Sequence, residues 1–112
     1  MDGLRILLAN DPRAYRETMA AALQALRPDT EVRTTELEAL LHELESFAPQ
    51  LVICSNLTPT VETGVLAWVE LYPGHGPLST VSIGGRRSVT SGIELPDLLS
   101  IVDCTEVLAE TA

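Results

Sequence analysis

Two short, almost uninterrupted apolar runs constrain this chain more than any other feature: Leu4-Arg5-Ile6-Leu7-Leu8-Ala9 and Leu51-Val52-Ile53-Cys54. A strand that is apolar on both faces belongs in a parallel sheet covered by helices on either side. Each run stops at turn-forming residues, Asn10-Asp11-Pro12 in the first case and Ser55-Asn56 in the second. Between them Tyr15, Met19, Ala22, Leu23 and Leu26 recur at helical spacing until Pro28-Asp29. Glu31-Val32-Arg33-Thr34 reads as a weak, half-exposed strand. Leu37, Leu40, Leu41, Leu44 and Phe47 then follow the i, i+3, i+4, i+7 pattern up to Pro49, the clearest helix in the chain. Strand-helix alternation with short connections implies an α/β sandwich around a mostly parallel sheet.

Beyond Cys54 the pattern predicts a loop over 56–63, a helix over Val65–Tyr72 closed by Pro73-Gly74, and a fourth strand over Ser79–Ile83 stopped by Gly84-Gly85. Leu98–Val102 reads as a fifth strand, with Asp103-Cys104-Thr105-Glu106 as a capping box for a short last helix. Leu95, Leu98, Leu99 and Val102 equally fit one helix across 96–110, and that alternative stays open. Roughly 13 residues separate strands four and five, near the lower limit for a parallel crossover, so the helix between them is expected to be contracted or missing. The chain is expected to form a single domain over residues 1–112, with neither repeats nor a linker.

Charge narrows the function classes. Sixteen acids oppose seven arginines, no lysine occurs, and the net charge is −9. Nucleic-acid contact needs a basic stripe, and an anionic membrane surface needs basic clusters; neither is present in the sequence. Cys54 and Cys104 form no CxxC or Cys/His cluster and read as reduced thiols, Cys54 as an inert core residue. Without a basic-then-apolar leader or a long apolar stretch, a cytoplasmic, soluble protein is expected.

Leu4–Pro12, together with Pro49-Gln50-Leu51-Val52-Ile53-Cys54-Ser55-Asn56-Leu57-Thr58-Pro59, resembles the first and third strand motifs of response-regulator receiver domains, closest to those preceding a helix-turn-helix output domain. The resemblance implies a flavodoxin-like, doubly wound, five-stranded sheet with a site at the carboxyl ends of its strands. In that family acids ending strand one hold magnesium and an aspartate ending strand three accepts a phosphoryl group. A Ser or Thr ends strand four and a lysine ends strand five. Carried over by position, these roles fall on Asn10, Asp11, Ser55, Gly84 and Ser100, and only Asp11 keeps the expected chemistry. The resemblance therefore implies a degenerate pseudo-receiver, unable to form an aspartyl phosphate, with no cofactor and no metal beyond weak cation binding at Asp11. Both a free-standing protein and the N-terminal domain of a longer DNA-binding regulator are compatible with it.

Plainer roles exist for the same residues. Asp11 before Pro12 suits a helix N-cap, and Ser55 and Asn56 suit backbone-satisfying roles at a strand end. His42 and His75 are expected in solvent, and Trp68 is expected to pack on a third helix. Gly84-Gly85-Arg86-Arg87 reads as a turn with solvated charges, or as a contact for an anion or a partner's carboxylates through Arg86 and Arg87. The expected function is a non-enzymatic signalling module acting by protein contact or as a homodimer. The interface is expected across 84–99 and the last helix, so that deletion from Asp103 abolishes assembly. The alternative is a sensor of a nucleotide or phosphorylated metabolite at Asp11, Ser55, Asn56 and Arg86.

Overall fold

The computed structural model describes residues 3–111. β1 (Arg5–Ala9) leads into α1 (Arg13–Leu26), β2 (Glu31–Thr34), a 3-10 turn at Leu37–Ala39, α2 (Leu40–Phe47) and β3 (Leu51–Cys54). α3 (Pro59–Gly64) and β4 (Ala67–Glu70) follow. A second 3-10 turn at Pro73–His75 precedes β5 (Leu78–Ile83), β6 (Arg86–Ser91) and α4 (Leu95–Thr111). The six strands form one sheet in the order β2-β1-β3-β4-β5-β6. The pairs among β1 to β4 are parallel, whereas β4–β5 and β5–β6 are antiparallel.

β1 and β3 lie inside the sheet, and their apolar residues face helices on both sides, as their sequences require. One face carries Ile6, Leu8, Leu51, Ile53, Ala67 and Val69 against Met19 and Leu23 of α1 and Leu98, Ile101 and Val102 of α4. The other carries Leu7, Val52, Cys54 and Trp68 against Leu40 and Phe47 of α2 and Val61 of α3. Arg27 at the end of α1 makes two 2.8 Å contacts with the Asp103 carboxylate on α4, tying the two helices of the first face together.

The flavodoxin-like expectation is overturned by this topology. The sheet has six strands, and its last two run antiparallel, so the second half is not doubly wound. Val65–Tyr72 is not a helix. Ala67, Val69 and Leu71 line one face and Trp68 the other, the alternation of a strand filled on both sides. The crossover helix that this strand needs is α3, inside the segment expected to be a loop. Thr58 caps it by accepting the Val61 amide at 3.3 Å, with Pro59 in the first turn.

Among the described residues the helix expected to be contracted or missing after Ile83 is missing, and no parallel crossover replaces it. Gly84 and Gly85 have φ of 59° and 87°, which fits the two-residue turns that close hairpins, and the chain turns straight back into β6. The fifth strand expected at Leu98–Val102 is absent. The sheet edge it would have taken is filled by the hairpin, and 95–111 forms one helix burying Leu98, Ile101, Val102 and Thr105. The expected capping box at Asp103–Glu106 thus falls in mid-helix. Because α4 beyond Asp103 also covers the core, deleting it would damage folding and cannot isolate an interface. Asp11 is not the N-cap of α1: Pro12 holds that position, and no side chain caps the helix.

Candidate functional site

Parallel strands end together, and here the register aligns Ala9 with Cys54 and Cys54 with Glu70. The residues that follow therefore converge: Asn10-Asp11 after β1, Ser55-Asn56 after β3, and Leu71-Tyr72 after β4. A crevice of about 370 Å³ opens between them, lined among others by Asp11, Tyr15, Ser55, Asn56, Tyr72 and His75. Crevices at the carboxyl ends of parallel strands are where open α/β sheets usually bind ligands.

Hydrogen bonds lock this rim. The Asp11 amide donates to Ser55 Oγ at 2.9 Å, joining the ends of β1 and β3. The Leu57 amide donates to Glu70 Oε2 at 2.6 Å, and the Tyr72 amide to Ser79 Oγ at 3.0 Å. Tyr72 adopts φ 44° and His75 φ 62°, so two residues with side chains sit in the left-handed region around Gly74. The Tyr72 hydroxyl donates to the Ile93 carbonyl at 3.2 Å and anchors the rim to the segment entering α4.

The centre of the arrangement is a buried guanidinium. Arg16 on α1 is 3% exposed and donates to the Asn10 carbonyl at 3.3 Å and to Glu36 Oε1 at 2.7 Å. It also stands 3.6 Å from Asp11 Oδ1. Asn10 is fully buried beside it, and neither its amide oxygen nor its amide nitrogen has a hydrogen-bond partner among the described residues. The magnesium implied by the receiver resemblance does not fit this donor set. One expected acid is an amide, Ser55 replaces the acceptor carboxylate and already serves the Asp11 amide, and the Arg16 charge stands where a divalent ion would be drawn. Among the described residues, no three His, Cys, Asp or Glu side chains converge as metal ligands.

The structure brings Asn10, Asp11 and Ser55 together, with Asn56 at the crevice wall. It does not bring Gly84 or Ser100 to them. The Gly84 amide donates to the Leu66 carbonyl, next to the first residue of β4 and so at the opposite end of the sheet. Ser100 is exposed on α4, donating to the Pro96 carbonyl. Arg86 and Arg87 share the distant end with Gly84, which takes Arg86 out of the ligand set proposed for the crevice. Arg87 pairs with Glu62 and lies 5.2 Å from the centre of the Trp68 ring, while Arg86 is exposed. Asp11 lines the crevice, and the Arg16 guanidinium beside it is already engaged by the Asn10 carbonyl and Glu36.

Arg16, Glu36, Tyr72 and His75 were not singled out as site residues from sequence. The capped start of α3 at Thr58-Pro59 was the available signal that β4 follows at once and delivers Tyr72 and His75 to the rim. His42 and His75 are both exposed.

Cys54 is buried, its thiol donates toward the Val69 carbonyl at 3.6 Å, and Cys104 is exposed on α4. Burial, with a smaller contribution from the Glu70 charge, pushes the Cys54 thiol up from 9.0 to about 12. A thiol reagent at pH 8 is therefore expected to modify one cysteine in the folded chain and two in denaturant. In the unfolded chain Cys54 loses its proton near its ordinary value, while the folded chain holds it to about 12. The unfolded state then binds fewer protons, so this contribution is complete below about pH 9 and is lost as pH rises toward 12, by up to about 1.4 kcal/mol per pH unit. Denaturant titrations of the chain and of Cys54→Ala across that window should differ by this slope.

No helix among the described residues is long and apolar enough to cross a membrane. No protein-family model, curated protein or solved structure matches the chain.

Proposed function

We propose that the chain is a non-catalytic signalling module that works through protein contact at the outer rim of its sheet, without phosphorylation. The observation that carries this reading is the β5–β6 hairpin. All six residues of β6 are exposed, and its outer edge has no neighbouring strand among the described residues. β1, β3 and β4 are covered by helices on both faces, and the other edge strand, β2, packs against α1, which leaves the hairpin as the edge most open to a partner. An unpaired edge is a template for adding a strand from another chain.

The crevice supports the phosphate-independent half of the reading. It has a serine in place of an acceptor carboxylate, and Asp11 is held beside the Arg16 guanidinium. The chain also has no lysine to engage a phosphoryl group. In this reading the likeness to receiver domains extends over β1 to β3 alone.

Incubation with magnesium and acetyl phosphate is expected to leave the intact mass and the amide NMR spectrum unchanged. Covalent uptake of one phosphate per chain, or saturable magnesium-dependent shifts at the Asp11 and Ser55 amides, would sink the reading.

A further inference from the structure

The β6 edge has properties that select its occupant. Its register with β5 is continuous from Leu78↔Ser91 to Ile83↔Arg86, so no bulge turns the edge away. It contains no proline either, and natural edges commonly use both devices to prevent pairing. Val89 is 64% exposed, and Leu78, diagonal to it on the same face, is 52% exposed.

The edge is also polar in charge. Arg86 and Arg87 open it, and beyond its far end, past Gly92, come the exposed acids Glu94 and Asp97. Arg87 is occupied by Glu62, but among the described residues Arg86 has no carboxylate within ion-pair distance.

We propose that β6 pairs antiparallel with β6 of a second copy, fusing the two sheets about a two-fold axis centred on Val89. The inference rests on the reading of β6 as a contact surface and names what covers it. A two-fold axis normal to a sheet keeps each face on its own side, so only residues of the same face can stand opposite one another. Two registers meet this condition near the middle of β6.

Centring on Ser88 sets Arg87 against Val89 and leaves both apolar groups facing charge. Centring on Val89 sets Val89 against its own counterpart, Ser88 against Thr90, and Arg87 against Ser91. In that register Arg86 lies beside Gly92 of the other copy, within side-chain reach of its Glu94, and the symmetry makes this contact twice. Parallel pairing would instead stack arginine on arginine. Repulsion between two chains of charge −9 is long-range and is largely screened beyond about 8 Å at physiological ionic strength, whereas a direct Arg86–Glu94 contact is screened less.

Light scattering and sedimentation of the full chain over a range of concentrations are expected to show mass rising to twice that of one chain. Val89→Lys places two like charges face to face and should weaken association about ten-fold or more, with the thermal melt extrapolated to the monomer unchanged because the site is exposed. Arg86→Glu should weaken it as well, and Arg86→Glu combined with Glu94→Arg should restore it, a rescue that a merely structural role for either residue would not produce. A monomer at every concentration overturns self-pairing, as does a dimer that survives both single variants. Either result is independent of the acetyl phosphate outcome, so failure of the dimer and failure of the phosphate-independent reading are told apart.

Discussion

Replacing Trp68 by alanine is expected to destabilise the chain by about 3–5 kcal/mol, the largest single-residue effect in the molecule. Trp68 is 2% exposed and packs among Leu7, Leu40, Phe47, Val52, Cys54 and Val61, where β3 and β4 meet α2 and α3. It stands opposite Val52 on one side and Ser82 on the other, so a cavity there opens in the middle of the sheet. Arg87 stacks over the ring from β6, and the truncation removes that cation–π contact too. Native domains are stable by about 5–15 kcal/mol in total, so the variant should sit near the edge of folding, with its melting temperature lowered by about 10–20 °C. Urea unfolding followed by circular dichroism measures it, and the midpoint should fall with the slope preserved. A change below about 1 kcal/mol would mean that Trp68 is not packed between β3, β4 and the helices of this face, and that β4 is wrongly placed.

That contrast marks where the sequence stops being legible. β1, α1, β2, α2 and β3 each carry an independent signal in apolar period or terminating proline, and each was found within a few residues. Val65–Tyr72 carries two. Its apolar residues satisfy helical spacing and strand alternation alike, and short apolar runs do not separate the two by period. What decides it is the neighbour: α3 has only six residues, too few to display a period, so the crossover it provides looks like a loop in the sequence. Gly84-Gly85 between two strand-like runs is a hairpin signal in its own right. The receiver resemblance calls for a crossover at that point, and following it concealed the hairpin and converted half of α4 into a strand.

The site divides in the same way. Asn10, Asp11 and Ser55 were legible because they directly follow buried strands whose register is set by apolar pattern. Arg16 and Glu36 were not, since their pairing depends on how α1 and the end of β2 cross above β1, a tertiary relation with no local trace. Tyr72 and His75 were hidden by the misread strand. Placing Arg86 at the crevice requires strand four to run parallel, and it runs antiparallel. Reversing that one strand carries its end the full height of the sheet away, about 16 Å for five residues.

Replacing Arg16 by methionine is the second large expected effect, about 2–4 kcal/mol of lost stability. The outcome is a balance. Removing a guanidinium that is 3% exposed, and whose Nε finds no hydrogen-bond partner among the described residues, relieves a desolvation cost. A methionine stem also retains most of the apolar packing. Against this, the Asn10 carbonyl loses its side-chain donor, and the buried Asn10 amide then lies in a drier pocket. The Glu36 carboxylate contributes less to the loss, because it is half-exposed and hydrates once freed. The cost therefore lies mainly at the end of β1. Glu36→Gln alone should cost about 1 kcal/mol, and a double-mutant cycle with Arg16→Met should give a coupling of no more than about 1 kcal/mol. Hydrogen exchange should show the amides of Asp11 and Thr35 opening first in the arginine variant, since these lie just past the ends of β1 and β2, beside the guanidinium. An Arg16→Met variant as stable as the parent, with those amides equally protected, would remove the guanidinium from its structural role. The buried charge would then need a functional reason for its presence behind Asp11.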